Sequence, residues 1–182
     1  AILTVSYSIF KVIKEEFGFD FKNFKFFAGH SLGEYSALVS AEALKFEDAL
    51  YLLRERGKAM QESVPVGKGK MIATLGSSID EIIKLINLSS KEGKICEIAN
   101  DNSDGQLIIS GDTESVDSFI KLLKEKKIKF IPLKVSAPFH CSLMEPAAEI
   151  MKDKIYNTNF TNPIYKIVSN VTAKPETDVE KI

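Results

Sequence analysis

Apolar residues recur at helical spacing along the start of the chain. Ile2, Val5, Ile9, Val12 and Ile13 share one face and Gly18 closes the segment, which predicts an amphipathic helix over residues 2–16. Lys25-Phe26-Phe27-Ala28 reads as a short strand, a Gly-rich turn follows, and the apolar run over 32–39 reads as a helix. Another helix is expected over 46–61, with Pro65 and Gly67 beyond its end. From residue 71 the rhythm changes. Strands are expected at 71–75, 95–99, 107–110 and 128–133, and helices at 79–89 and 113–126. That βαββαβ order is the ferredoxin-like pattern, with Asp101, Asn102, Asp104 and Gly105 forming the turn between the middle strands. Past Pro138 come a helix over 142–155 and a strand over 165–169. The expected fold class is α/β: a body over 1–70 and 135–182, interrupted by a small α+β insert over 71–134.

Composition narrows the function classes. The chain has 182 residues, 45% hydrophobic and 27% charged, enough for a sizeable core. A formal net charge of −1 provides no global field to draw nucleic acid or an anionic membrane, so neither is expected as a partner. No apolar run approaches the roughly 20 residues of a membrane span. Cys96 and Cys141 are too few for a framework of bridges, which points to a reducing, cytoplasmic setting. The chain opens at Ala1 within a helix-like stretch and shows no basic-then-apolar leader, so a cut N-terminus is expected. No metal-ligand cluster and no phosphate-cradling glycine loop is present in the sequence.

The sharpest signal is Gly29-His30-Ser31-Leu32-Gly33, between an expected strand and an expected helix. That is the context of a nucleophile elbow, and a chance G-x-S-x-G in a loop is the bland alternative. Glycines on either side would let neighbouring chain pass close, and the Leu32 amide would point at a developing oxyanion. A serine nucleophile needs a base, and the chain has two histidines. His30 adjoins Ser31 and points away from it, so it reads as a packed or capping residue. His140, in Ser136-Ala137-Pro138-Phe139-His140, sits in a loop between strand and helix and is the better candidate. Cys141 reads as a small apolar filler. The only arginines are Arg54 and Arg56. Arg56 falls on the inward stripe with Ala49, Leu52, Leu53 and Met60, whereas Arg54 faces outward. A guanidinium on an apolar face needs a partner: either an internal ion pair or a carboxylate on a transferred acyl group. Asn100-Asp101-Asn102-Ser103 reads as a hairpin turn or as the lining of a cleft. Lys121, Lys124, Lys126, Lys127 and Lys129 read as a solvated helix face or as a surface for an acidic carrier.

Four motifs carry a resemblance. Gly29-His30-Ser31-Leu32-Gly33-Glu34-Tyr35-Ser36-Ala37 resembles the active-site motif of the malonyl-CoA:acyl carrier protein transacylases, and Arg56-Gly57-Lys58-Ala59-Met60-Gln61 their arginine-bearing helix. Ala137-Pro138-Phe139-His140-Cys141-Ser142-Leu143-Met144 resembles the family's histidine loop, and Ser169-Asn170-Val171-Thr172-Ala173 its later strand. The similarity runs along the whole chain in order. It implies an α/β-hydrolase-like body with a ferredoxin-like subdomain, and a two-step malonyl transfer in fatty acid biosynthesis. Ser31 would take malonyl from coenzyme A, and the phosphopantetheine thiol of acyl carrier protein would then take it from the serine. The resemblance assigns His140 as base and then acid, Leu32 as half of the oxyanion hole, and Arg56 as the malonyl carboxylate anchor. A large residue at Phe139 marks malonyl over methylmalonyl, and Asn102 is a further substrate-binding candidate. No resident cofactor is implied, and a monomer is expected. The family's glutamine-bearing oxyanion segment and its carbonyl that orients the histidine have no counterpart here, so a fragment lacking both ends is expected. An acyltransferase domain of a polyketide or multidomain synthase is the near alternative, and a serine esterase or hydrolase the distant one.

Overall fold

The computed structural model describes residues 1–89 and 92–182. The elements in chain order are α1 (Ile2–Glu15), β1 (Phe27–Ala28), α2 (Gly33–Ser40), α3 (Phe46–Ser63), β2 (Gly69–Leu75), α4 (Ile79–Ser89), β3 (Cys96–Ser103), β4 (Gln106–Asp112), α5 (Thr113–Glu125), β5 (Lys129–Pro132), α6 (Glu145–Tyr156), β6 (Ile167–Val168) and β7 (Pro175–Glu176). The chain divides into two compact units, Ala1–Glu55 with Asp153–Ile182, and Arg56–Lys152.

In the first unit β1 pairs with β6 in parallel, Phe27 opposite Ile167 and Ala28 opposite Val168, and β7 adds an antiparallel edge on β6. α1 forms where expected and ends at Glu15, and the chain turns away at Gly18, whose φ of +61° suits glycine. Its facing differs from the sequence expectation. Ile2, Val5, Ile9 and Val12 are exposed, Ile2 by 62%, while Leu3 is buried. The helix packs instead through aromatic rings: Tyr7 stacks on Phe46 at 5.1 Å, Phe10 meets Phe21 at 4.7 Å and Phe27 at 6.0 Å, and Phe27 stacks on Tyr165 at 4.6 Å. The helix is apolar on both sides, so periodicity alone cannot say which face meets this unit's core. Large rings bury more area per residue than the β-branched stripe, and they take the inner face.

The second unit holds a four-stranded antiparallel sheet in the order β3-β4-β2-β5. β2 and β3, joined through α4, therefore run parallel with β4 between them. β4 and β5, joined through α5, do the same around β2. Alternation along β2 and β4 sorts the two faces. Ile72, Leu107 and Ile109 pack with Ile82 and Leu85 of α4 and Val116, Phe119 and Leu123 of α5. Met71, Ala73 and Ile108 cluster on the other face, where Leu133 and Phe139 cover them. Both helices are capped by side chains. Ser78 accepts from the Glu81 amide at 3.3 Å, and Asp112 accepts from the Ser115 amide at 2.9 Å. Asp101 and Asn102 are not in the hairpin turn as expected. β3 continues to Ser103, which pairs with Gln106, and Asp104 and Gly105 alone make the loop. Asparagine and aspartate read as turn residues, yet this edge strand accommodates them by two register shifts, between Ile98 and Asn100 and between Asp101 and Ser103. The five lysines from Lys121 to Lys129 are exposed. No described helix is long and apolar enough to cross a membrane.

Candidate active site

The serine turn is built by the first unit. β1 ends at Ala28, four residues turn, and α2 begins at Gly33. Ser31 has φ +53°, a left-handed conformation that costs a residue with a Cβ about 1–2 kcal/mol. The pairing of β1 with β6 and the onset of α2 leave too few residues for an unstrained reversal, and the strain falls on the serine. The flanking glycines are not equivalent, although the motif is symmetric. A Cβ on Gly29 would lie 1.9 Å from the Gly33 carbonyl oxygen, whereas a Cβ on Gly33 would meet nothing within 4 Å. The close approach expected of both glycines belongs to Gly29 alone.

Three backbone amides at the turn have partners. Ser31 N–H donates to Asn170 Oδ1 at 2.7 Å, Gly33 N–H to the His30 carbonyl at 2.9 Å, and Glu34 N–H to the Ser31 carbonyl at 3.1 Å. Among the described residues, none accepts from the Leu32 N–H. An unpaired amide at the first turn of a helix is a donor held ready for an anion.

The sequence places Asn170 only within the later strand motif and does not show its contacts with the serine turn. Besides accepting from Ser31, its Nδ2 donates to the Gly29 carbonyl at 2.7 Å, and its backbone N–H donates to Glu34 Oε1 at 3.0 Å. The available signal was an asparagine just beyond a buried strand, where a side-chain amide replaces ladder hydrogen bonds. His30 is exposed, which corrects the packed or capping reading of its side chain. Its carbonyl takes part in the turn by accepting from the Gly33 amide.

The histidine loop belongs to the second unit. Pro138 is fully buried and needs a glycine beneath it, since a Cβ on Gly69 would come within 2.2 Å of its ring. The Phe139 amide donates back to Ala137 at 3.1 Å, and His140, half-buried, follows at φ +60°. Ser142 holds the far side: its N–H and hydroxyl donate to the two carboxylate oxygens of Glu97 at 2.8 and 2.6 Å. Glu97 is the second residue the sequence reading missed. It lies on β3, and no local pattern marks a contact spanning 45 residues. Cys141 is buried, its thiol donates to the Pro138 carbonyl at 3.2 Å, and burial above all raises its pKa, which suits a filler.

The remaining candidates also lie in the second unit. Arg56 opens it and is half-buried on the stripe of α3 that carries Ala59 and Met60, while Arg54 is exposed, as the helical spacing predicts. Phe139 packs on the cluster of Ala59, Met60, Val64, Met144 and Ala147 as well as on the sheet. Asn102 is exposed, at the second irregularity of β3. Among the described residues no group of three His, Cys, Asp or Glu side chains could hold a metal ion.

Comparison with known proteins shows the family. The family model described as "Acyl transferase domain" matches residues 16–181. The malonyl CoA-acyl carrier protein transacylases of Bacillus subtilis and Haemophilus influenzae are each 42% identical, over 98% and 100% of this chain. The chain spans 55% and 58% of their lengths. Among solved structures, FabD from Acinetobacter baumannii superposes with a TM-score of 0.92 at 42% identity, covering 98% of this chain and 56% of that one. A malonyl-transacylase solved with its type II PKS acyl-carrier protein gives 0.92 at 38% identity, covering 100% of this chain and 58% of that one. With a family match over most of its length and a strained serine between strand and helix, the chain belongs to the acyl transferase domain family.

Proposed function

We propose that this chain carries the nucleophile, base and carboxylate anchor of a malonyl transfer from coenzyme A to the phosphopantetheine thiol of acyl carrier protein. The observation that carries the reading is the serine turn, where Ser31 is held at positive φ beside the unengaged Leu32 amide. His140 takes the Ser31 Oγ proton as the oxygen attacks the thioester carbonyl. The Leu32 N–H receives the oxyanion, and its collapse expels the coenzyme A thiol, which takes the proton from His140. The second half runs in reverse, with the carrier thiol attacking the malonyl-serine ester. Arg56 pairs with the malonyl carboxylate in two-point contact, Phe139 crowds the α-carbon, and Asn102 lies along the substrate. No resident cofactor takes part, and the partners are malonyl-CoA and acyl carrier protein. The protein acts as a cytoplasmic monomer, without nucleic acid or membrane.

The same reading makes the first unit part of an α/β-hydrolase-like body (1–70 and 135–182), with a ferredoxin-like subdomain over 71–134. The β3-β4-β2-β5 order with its two interleaved crossovers supports the latter. The names of the relatives support the substrate pair. A second reading places the carrier in polyketide rather than fatty acid synthesis, favoured by the solved complex with a type II PKS carrier.

Intact mass after incubation with malonyl-CoA tests the proposal. A stable adduct lost in Ser31→Ala and kept in Cys141→Ala is expected, followed by transfer to added holo-carrier. Steady release of free malonate would instead make the protein a hydrolase, and no adduct would refute the assignment.

A further inference from the structure

We infer that Asn170 is a positioning residue for the nucleophile: its side-chain amide locks the Ser31 turn and leaves the Leu32 N–H open to an oxyanion. This rests on the acyl-transfer reading above for its consequence, though not for its geometry.

Parallel pairing between β1 and β6 stops at Ala28 and Val168. Beyond it the chain turns towards α2, and a straight neighbouring strand could no longer supply the Gly29 carbonyl and Ser31 amide with partners. Asn170, two residues past the last pair, supplies both. Its Nδ2 donates to the Gly29 carbonyl and its Oδ1 accepts from the Ser31 amide, each at 2.7 Å. A primary amide is among the few side chains that donate and accept through one rigid plane. The orientation is also determined, because a flipped amide would set oxygen against oxygen at Gly29 and nitrogen against N–H at Ser31. A third bond, from the Asn170 backbone to Glu34 Oε1 at 3.0 Å, ties the same residue to the first turn of α2.

Two consequences follow for the chemistry. Ser31 at φ +53° loses one of its restraints if its amide is released, and any relaxation of the turn would swing Oγ away from its line of attack. Released, the Ser31 N–H would also become a second loose donor beside that of Leu32, drawing a carbonyl oxygen off its proper place. A misplacement of about 1 Å at a reacting atom costs on the order of 100-fold in rate.

The test uses the 182-residue chain and two measurements. Single-turnover acylation by malonyl-CoA, followed by intact mass, should slow by about 10- to 100-fold in Asn170→Ala, with the half-saturating malonyl-CoA concentration changed less than about 3-fold. Amide hydrogen exchange should show Ser31 protection reduced at least about 10-fold while the sheet of the second unit keeps its own. Should the alanine variant not fold, Asn170→Asp carries the same test. Its carboxylate can accept from Ser31 but cannot donate to Gly29, and acylation about 10-fold slower is expected. Acylation at the parental rate, or a loss that only tracks the unfolded fraction at the assay temperature, overturns the inference. If the parent chain itself is not acylated, the acyl-transfer reading fails separately. Ser31 exchange then decides the role of Asn170: unchanged protection in Asn170→Ala refutes it, and a loss confined to the turn sustains it.

Discussion

Replacing each glycine of Gly29-His30-Ser31-Leu32-Gly33 by alanine should have opposite effects. A Cβ on Gly29 would stand 1.9 Å from the Gly33 carbonyl oxygen, 2.0 Å from its carbon and 2.7 Å from the Glu34 nitrogen. Tolerable contact begins near 3.4 Å, so the chain at Gly33 would have to retreat by about 1.5 Å. That chain cannot give as a side-chain end would, because the Gly33 and Glu34 amides are bonded to the carbonyls of His30 and Ser31. Overpacking that side chains can absorb costs about 1–3 kcal/mol. Here the backbone must move, and a destabilisation of at least about 3 kcal/mol is expected, or local loss of the turn. Gly33 has empty space where its Cβ would go and lies at the start of a helix. Gly33→Ala should be neutral or stabilise by about 0.4–1 kcal/mol, through the smaller entropy of the unfolded chain. Urea unfolding of both variants against the parent reads the difference in midpoint at unchanged slope. Equal costs at the two positions, or a Gly29→Ala variant within about 0.5 kcal/mol of the parent, would show that the steric account of the turn is wrong.

Asp112 caps α5 and also accepts from the Ile95 amide at 2.7 Å, so Asp112→Ala should cost about 1–2 kcal/mol in chemical unfolding. Burial pushes its carboxyl pKa up, but donation from the Ser115 amide, the Ile95 amide and the Ser115 hydroxyl outweighs that and holds it below the usual range. The ionised cap therefore stabilises fully above about pH 4 and loses its contribution as the pH falls through the lower folded value. A parent-minus-variant stability difference that stays constant down to pH 2 would contradict this. Cys96 is buried, and burial first, then the nearby carboxylate of Asp112, pushes its thiol up to about 12. Iodoacetamide at pH 8 should therefore leave it unmodified in the folded chain and label it only when urea is added. Ser36 Oγ is buried on α2 without a partner among the described residues, so Ser36→Ala should raise stability by about 1 kcal/mol; a loss on thermal unfolding would reveal a hidden partner.

Local signals carried the element types. The α4 and α5 segments repeat apolar residues at helical spacing and open on Ser78 and Asp112, and the structure starts those helices at Ile79 and Thr113. β2 and β4 are short apolar runs buried on both faces, so the sequence names the element and not the face. Boundaries were poorer where pairing decides them. β6 is two residues rather than the five expected, and β3 runs four residues further into polar sequence, because a strand ends where its partner does.

The candidate site divides in the same way. Ser31, Leu32, Arg56 and His140 became candidates from the sequence because a tight turn, a cation on an apolar stripe and a scarce base are signals carried by a few neighbouring residues. Which glycine is obligatory, which face of α1 meets the core, and the roles of Asn170 and Glu97 were not legible there. The glycine is decided by the close approach of Gly29 to Gly33, whereas the other contacts join atoms far apart in sequence: Asn170 reaches Ser31 across 139 residues, and Glu97 reaches Ser142 across 45. Periodicity and motif report what a residue offers to its surroundings. Only the folded chain brings up the partner that accepts the offer, because hydrogen bonds and close packing act over a few ångströms in space and are blind to distance along the chain.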